Sequence, residues 1–307
     1  MSLKMTRRTL LLAGCSGILS QQSFAQGLAE DAARIPKSLR VSAVQFRSGL
    51  DLDENVHRHC SYIRRLAEQG SRVIVFPECS VTGYSDNAVS KVTAEDLAEA
   101  ESYIAKAAKE AGVYAVVGVP TKIKDKTFNS AIVIDPQGKI IERYHKVQLA
   151  RERWAEPGDH LSVFPIYGIP CSIIICHDER YPELVRLPVL AGARIIFYIS
   201  HESGMKHEHK IEPYRAQIVA RAVENTVYVV QANAPAEKAT LEGSHGQSRI
   251  IAPSGTIICE ASIYEEEVVS ADLETDKATG ALARNSLRCE FLRDWWNQGA
   301  AKVRVVE

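Results

Sequence analysis

Short, uninterrupted apolar runs constrain this chain more than any other feature. Val73-Ile74-Val75-Phe76 has no polar position to turn toward water, and residues 172–175 and 195–199 repeat the pattern. Strands of this kind are buried on both faces, so other layers must cover them above and below. Segments of helical spacing stand between them. Residues 55–69 carry Val56, Cys60, Ile63, Leu66 and Ala67 on one face and close at Gly70; 94–111, 183–191 and 213–225 are the other expected helices. The remaining strands are expected at 39–46, 115–119, 130–134, 139–144, 227–231, 248–252, 256–259 and 267–271. Two of the connections are too short for a crossover. Asp135-Pro136-Gln137-Gly138 places Asp first, Pro second and Gly fourth, as a type I turn favours, and Pro253-Ser254-Gly255 turns between two further strands. Helices alternating with strands, some joined tightly, imply one α/β domain with mixed rather than strictly parallel pairing.

Composition narrows the partners. The chain has 307 residues, 46% hydrophobic and 24% charged, enough to bury a large core, and no Pro/Gly/Ser-rich linker divides its middle. A formal net charge of −1 gives no reason to expect a nucleic-acid or anionic-membrane partner. Internal repeats and bilayer-length apolar runs are absent from the sequence.

Residues 1–25 read as an address. Lys4, Arg7 and Arg8 precede a short apolar run from Leu10 to Ala13, and Ser23-Phe24-Ala25 offers a small-x-small cleavage site before Gln26. The Thr6-Arg7-Arg8-Thr9-Leu10 stretch resembles a twin-arginine export signal, which implies a periplasmic protein. Leu12-Ala13-Gly14-Cys15 also resembles a lipoprotein cleavage box, and the mature protein meets a membrane only if Cys15 is lipidated. Cleavage after Ala25 is preferred, because the apolar run before Cys15 is very short. Six cysteines remain: Cys60, Cys79, Cys171, Cys176, Cys259 and Cys289. An oxidising compartment permits disulfides, but most of these lie inside apolar strand patterns, so mostly reduced, buried thiols are expected.

Three residues sit at strand ends, and each is ambiguous alone. Glu78 follows Val-Ile-Val-Phe-Pro, a carboxylate at the tip of a buried strand, although solvated loops are the commoner fate of glutamate. Cys176 ends an apolar run and precedes Tyr181-Pro182-Glu183, where Pro and an acid suit a first helical turn. A cysteine at such a turn can present a nucleophilic sulfur near backbone N–H groups, yet free cysteine is also among the most buried residue types. Lys146, in Tyr144-His145-Lys146-Val147, resembles an ordinary surface charge when taken by itself.

Taken in order, Phe-Pro-Glu78, Tyr-His-Lys146 and Ile-Ile-Cys176 resemble the carbon–nitrogen hydrolase (nitrilase) superfamily, specifically its amidase-like branch. The likeness runs from about Leu39 to Ile258. It includes Ala43-Val44-Gln45, Thr82-Gly83-Tyr84, Arg180-Tyr181-Pro182-Glu183, Arg221-Ala222-Val223-Glu224-Asn225 and Gly246-Gln247-Ser248 with Pro253-Ser254-Gly255. The resemblance implies a four-layer α-β-β-α sandwich with mixed sheets over residues 39–271, followed by a C-terminal extension at 272–307. It implies that Cys176 attacks an amide or nitrile carbon to form a thioester. Glu78 would act as general base, and the Lys146 ammonium with the backbone N–H of His177 would hold the oxyanion. A second glutamate is implied near the lysine: Glu152 is the candidate and Glu156 the fallback. His177, Tyr84 and His201 are the expected substrate-side residues. No metal or organic cofactor is required; the histidine-rich loop 201–209 completes no metal-site motif.

His177-Asp178 after the nucleophile looks amidase-like, where true nitrilases commonly carry Trp-Glu. The expected substrate is therefore a small amide, with an N-carbamoyl amine or amino acid as alternative. A silent binding protein on the same fold, and a different thiol chemistry pairing Cys176 with Cys171 or Cys79, are the competing classes. A peptidase would need a histidine base and makes no demand for Lys146. The tail after Ala271 reads as irregular, with Arg293, Trp295 and Trp296 expected to dock on this subunit or a partner, and the family pattern implies at least a homodimer.

Overall fold

The computed structural model describes residues 35–150, 152–202 and 211–307; the expected export signal at 1–25, Cys15 included, lies outside them. Lys37–Glu307 forms one compact unit. Its first half runs β1 (Ser38–Gln45), α1 (Leu52–Glu68), β2 (Val73–Val75), α2 (Asp86–Lys91), α3 (Ala94–Ala111), β3 (Tyr114–Ile123), β4 (Lys126–Ile134) and β5 (Ile140–His145). The second half runs β6 (Ser162–Ile166), β7 (Ile169–Ile175), a 3-10 turn at Cys176–Arg180, α4 (Glu183–Leu190), β8 (Ile195–Ser200), α5 (Ile211–Val223) and β9 (Tyr228–Asn233). It closes with β10 (Arg249–Ile251), β11 (Ile257–Glu260), β12 (Glu267–Glu274), α6 (Ala281–Asn285), α7 (Glu290–Ala300) and β13 (Arg304–Val305).

The strands make two sheets rather than one. The first has the order β12-β1-β2-β3-β4-β5 and the second β11-β10-β9-β8-β7-β6-β13. In each, three neighbouring strands pair in parallel (β1, β2, β3 and β7, β8, β9) and the next strands outward pair antiparallel. The alternation along each strand explains the layers. Val44, Phe46, Ile74, Phe76, Ala115 and Val117 point outward into a core shared with Ile63 and Leu66 of α1 and Leu97 and Ile104 of α3. Ile174, Ile196, Tyr198 and Val229 do the same toward Val185 and Val189 of α4 and Ile218 and Ala222 of α5. The residues of opposite parity, such as Val41, Ala43, Val73 and Val75, are equally dry because the other sheet covers them. Gln45 ties the two sheets: its side-chain amide donates to the carbonyls of Ser262 and Glu265, and its carbonyl accepts from the Ser248 N–H at 2.9 Å. The architecture is the four-layer α-β-β-α sandwich.

Local signals account for the helix ends. Thr93 and Asp96 form a reciprocal capping box at the start of α3, and Gly112 ends it in the left-handed region at φ 67°. Two expectations need correcting. The strand β6, between β7 and β13, is absent from the strands expected, because Pro165, paired with Pro170 of β7, removes a backbone donor and breaks the apolar alternation. The tail is not irregular: it forms α6, α7 and β13. Trp296 is partly buried with the Arg186 guanidinium 5.9 Å from its ring, Trp295 is 58% exposed, and β13 adds parallel to β6. Arg304 of β13 bonds the buried Glu142 of β5, joining the tail to the opposite sheet. The six described cysteines are free.

One glycine on β3 sets how closely the chain passes Glu78. A Cβ on Gly118 would stand 2.1 Å from the Pro77 carbonyl oxygen and 2.8 Å from the Glu78 Cα. Gly118→Ala is expected to lower stability by about 1–3 kcal/mol through overpacking against backbone. It should also cost activity beyond that loss by displacing Glu78. Thermal unfolding together with turnover at a temperature where the variant is fully folded checks both.

Candidate active site

Four side chains meet where strands of both sheets end. β2 continues through Phe76, whose N–H donates to the Val116 carbonyl at 2.8 Å, and then turns at Pro77-Glu78. β5 hands on to Lys146, whose N–H donates to the Asn129 carbonyl at 2.8 Å. β7 delivers Cys176, and β8 delivers His201. Crevices at the carboxyl ends of parallel strands are the usual ligand sites of α/β sheets. Cys176 has φ 44°, and Cys79, beside Glu78, has φ 49°. Both are left-handed conformations that cost a non-glycine residue energy and hold only where the surroundings fix them.

Lys146 is fully buried, and its ammonium donates to Glu78 Oε1 at 2.8 Å and to Glu152 Oε1. Asn129 donates to Glu78 Oε1 at 2.6 Å and to Glu152 Oε1 at 3.2 Å, while its own carbonyl accepts from the Cys79 thiol at 3.5 Å. The other oxygen of Glu78 accepts the His201 backbone N–H at 2.7 Å, and that of Glu152 accepts the Ala150 N–H at 2.7 Å. The Cys176 thiol donates to the His201 carbonyl at 3.8 Å. The backbone of His201 therefore touches both sides of the site, meeting Glu78 through its N–H and Cys176 through its carbonyl.

Burial and pairing divide the charges. Burial pushes Glu78 above the usual carboxylate range against the pull of Lys146, and the Glu152 charge adds to the rise. Glu152 is held down at about 2: burial opposes its ionisation, but the charge and hydrogen bond of Lys146 outweigh it. Burial would neutralise Lys146, yet the attraction of Glu78, Cys176 and Glu152 carries it well above its ordinary value. The Cys176 thiol is driven well up, first by burial and then by the Glu78 charge. The resting site thus holds a fixed ammonium, a firmly ionised Glu152, a Glu78 poised to accept a proton and a neutral thiol. That set can take a proton from sulfur and stabilise negative charge on an attacked carbon's oxygen.

The remaining expected residues fall around this centre. Glu156, the fallback for the second glutamate, is exposed and meets β4 only through its backbone, so Glu152 is the carboxylate at the lysine. The Tyr84 ring stacks on the His201 imidazole at 4.8 Å, and burial holds that imidazole at about 4, neutral at physiological pH. His177 directly follows Cys176, with its ring 5.6 Å from that of Tyr181. His207 and His209 of the histidine-rich loop lie outside the described residues. Among the described residues no group of three or more His, Cys, Asp or Glu side chains could hold a metal ion, and no helix is long and apolar enough to cross a membrane.

Two contributors lay beyond the sequence reading. Asn129 sits in the unremarkable Phe128-Asn129-Ser130, and only the pairing of β4 with β5 brings it to Glu78 and Glu152. Asp178 accepts from the Tyr144 hydroxyl at 2.8 Å, the Gln148 N–H at 2.7 Å and the Ile175 N–H at 3.0 Å, tying the cysteine turn to the lysine segment. Burial, partly offset by those bonds, lifts its carboxyl to about 6. Asp178 was visible as part of the cysteine stretch, but its partners were not.

Known proteins share this arrangement of elements. The chain is 33% identical to a nitrilase of Pyrococcus abyssi over 73% of its length and 85% of that protein. It is 28% identical to an omega-amidase of Xenopus tropicalis, over 77% and 89% of the two chains, and 29% identical to a 2-oxoglutaramate amidase of Bacillus subtilis, over 73% and 86%. Its fold superposes on an amidase of Nesterenkonia sp. with TM-score 0.73 at 25% identity, covering 85% of this chain and 98% of that one. A mutant of the same amidase carries the acetamide moiety of fluoroacetamide covalently on its active-site cysteine. The model of the carbon–nitrogen hydrolase family matches residues 40–281, from the middle of β1 to the first residue of α6, and to that family this chain belongs.

Proposed function

We propose that this enzyme hydrolyses small carboxylic amides, with Cys176 as nucleophile, Glu78 as general base and Lys146 as oxyanion stabiliser. The carrying observation is the Lys146 ammonium held between Glu78 and Glu152 beside a neutral thiol. Glu78 takes the thiol proton as sulfur bonds to the carbonyl carbon, and the oxygen's new charge meets Lys146 and the His177 N–H. Collapse of the tetrahedral species returns the proton to nitrogen, so ammonia or a small amine departs and a thioester remains. Glu78 then accepts a proton from water, whose oxygen attacks the thioester; as the C–S bond breaks, Glu78 returns that proton to sulfur, and the carboxylic acid product leaves. Lys146 cannot serve as the base: two carboxylates keep it protonated. Amidases among the relatives support an amide substrate, and the nitrilase of Pyrococcus abyssi is the reason nitriles belong in the test.

The reading extends to export through residues 1–25 and to pairing of two copies. Exposed Phe291, Leu292 and Trp295 on α7 support a partner surface, since their combined apolar area is costly to leave in water. Expression of the full chain followed by cell fractionation and size-exclusion chromatography checks both. Periplasmic recovery of a protein starting at Gln26 and eluting at twice the monomer mass is expected; a cytoplasmic, uncleaved monomer would refute both.

Ammonia release across aliphatic amides, N-carbamoyl compounds and nitriles checks the chemistry. Amides are expected to turn over, Cys176→Ala to abolish turnover, and Lys146→Ala to lower kcat by about 100- to 1000-fold. A peptidase-like thiol enzyme would keep its rate without Lys146. Glu78 must be ionised to accept a proton, so activity falls as pH drops through its raised pKa. The acid limb of kcat/KM should therefore lie above the roughly 4.3 of a free glutamate; a limb at or below that value contradicts Glu78 as the base.

A further inference from the structure

The His201 backbone that touches both Glu78 and Cys176 is itself anchored from beneath by its neighbour. Glu202 is buried at 2% exposure and ends no strand of its own. Its Oε1 accepts from the Tyr198 hydroxyl and lies 3.4 Å from the Gln231 amide; its Oε2 lies 2.6 Å from His245 Nε2 and 3.3 Å from the Asn233 amide. Its backbone N–H points to Asn233 Oδ1 at 3.5 Å. The partners come from β8, from β9 and from the segment before β10, so one carboxylate binds three stretches of the second sheet. We propose that Glu202 is a positioning residue for catalysis, its carboxylate fixing the backbone around residues 201 and 202 so that the His201 N–H orients Glu78 and the His201 carbonyl, in the next peptide unit, orients the Cys176 thiol.

Among the described residues no other carboxylate on this side of the site offers the same hold. Glu179, the other buried carboxyl of the cluster, makes no hydrogen bond through either oxygen among the described residues, and burial followed by the Glu202 charge pushes it well above the usual carboxylate range. Burial also opposes ionisation of Glu202, but His245 and Tyr198 hold it below the usual carboxylate range. The cluster therefore concentrates its negative charge on the residue that adjoins His201. Charge alone cannot explain its place here. Through space Glu202 raises the Cys176 pKa, which works against a thiolate nucleophile. Its benefit must come through geometry.

That opposition gives a decisive test. The proposal rests on Cys176 acting as the nucleophile, and alkylation by iodoacetamide, followed on the Cys176 peptide by mass spectrometry, reads thiol activation without any amide substrate. In the full chain, Glu202→Gln keeps the size of the side chain and removes its charge. If Glu202 positions the backbone, alkylation slows and kcat on the best amide falls by about 10- to 100-fold, with KM within about threefold. If Glu202 acts only through its charge, alkylation speeds up; unchanged or faster alkylation overturns the proposal, as does a raised KM at unchanged kcat. Tyr198→Phe deletes one hydroxyl and no charge, and decides the matter should Glu202→Gln fail to fold: slower alkylation of the folded variant supports positioning, and the wild-type rate refutes it. A wild-type protein silent toward every amide would sink the amidase reading while leaving the alkylation comparison intact.

Discussion

An ammonium buried between two carboxylates is the constraint from which the rest of this structure follows. Lys146, Glu78 and Glu152 have no side-chain exposure, and removing three charges from water costs several kcal/mol each unless every one is paired and hydrogen-bonded. One cation between two anions leaves a net negative charge, so the group needs further donors. Asn129 serves both carboxylates, and the N–H groups of His201 and Ala150 complete their outer oxygens. These donors come from β4, from the end of β8 and from the loop before Glu152. A stable buried triad therefore requires both sheets and that loop to be in register. Gly158 shows how tight the loop is: its N–H donates to the Lys146 carbonyl at 2.8 Å, and a Cβ there would lie 2.2 Å from the His145 carbonyl oxygen.

The same constraint explains what could be read from sequence. Glu78, Lys146 and Cys176 were legible because a charged or nucleophilic residue directly after a fully apolar strand has only the strand's end to occupy. Glu152 was legible through its closeness to Lys146 in the chain. Asn129, Asp178 and Glu202 were not legible as site residues, since their value depends on partners such as Glu78, Glu152, Tyr144 and Asn233, 23 to 51 positions away, that only the folded sheets supply. Two sheets could not be told from one by strand periodicity, because a strand covered by helices and a strand covered by another sheet show the same apolar run; the family resemblance supplied that distinction. The proline-bearing β6 escaped for a local reason, since Pro165 disrupts the alternation; α7 carries Phe291, Leu292, Trp295 and Trp296 at helical spacing, a pattern that contradicts an irregular tail.

Strain and support are matched on the two halves of the site. Cys79 and Cys176, each in a left-handed conformation, mark the turns that carry Glu78 and the Cys176 thiol. The first turn fits only because Gly118 leaves room beneath it, and the second because Asp178 caps the Ile175 N–H while gripping Tyr144 and Gln148. Glu78 and Lys146 belong to the first sheet, Cys176 and the His201 backbone to the second. Neither sheet alone brings the Cys176 thiol to the Glu78 carboxylate. A neutral, buried thiol has little reactivity by itself, so the chemistry exists only where the sandwich closes and Glu78 is brought to sulfur. Precision here is a property of the interface between the sheets, which is why backbone groups, rather than additional side chains, make so many of its contacts.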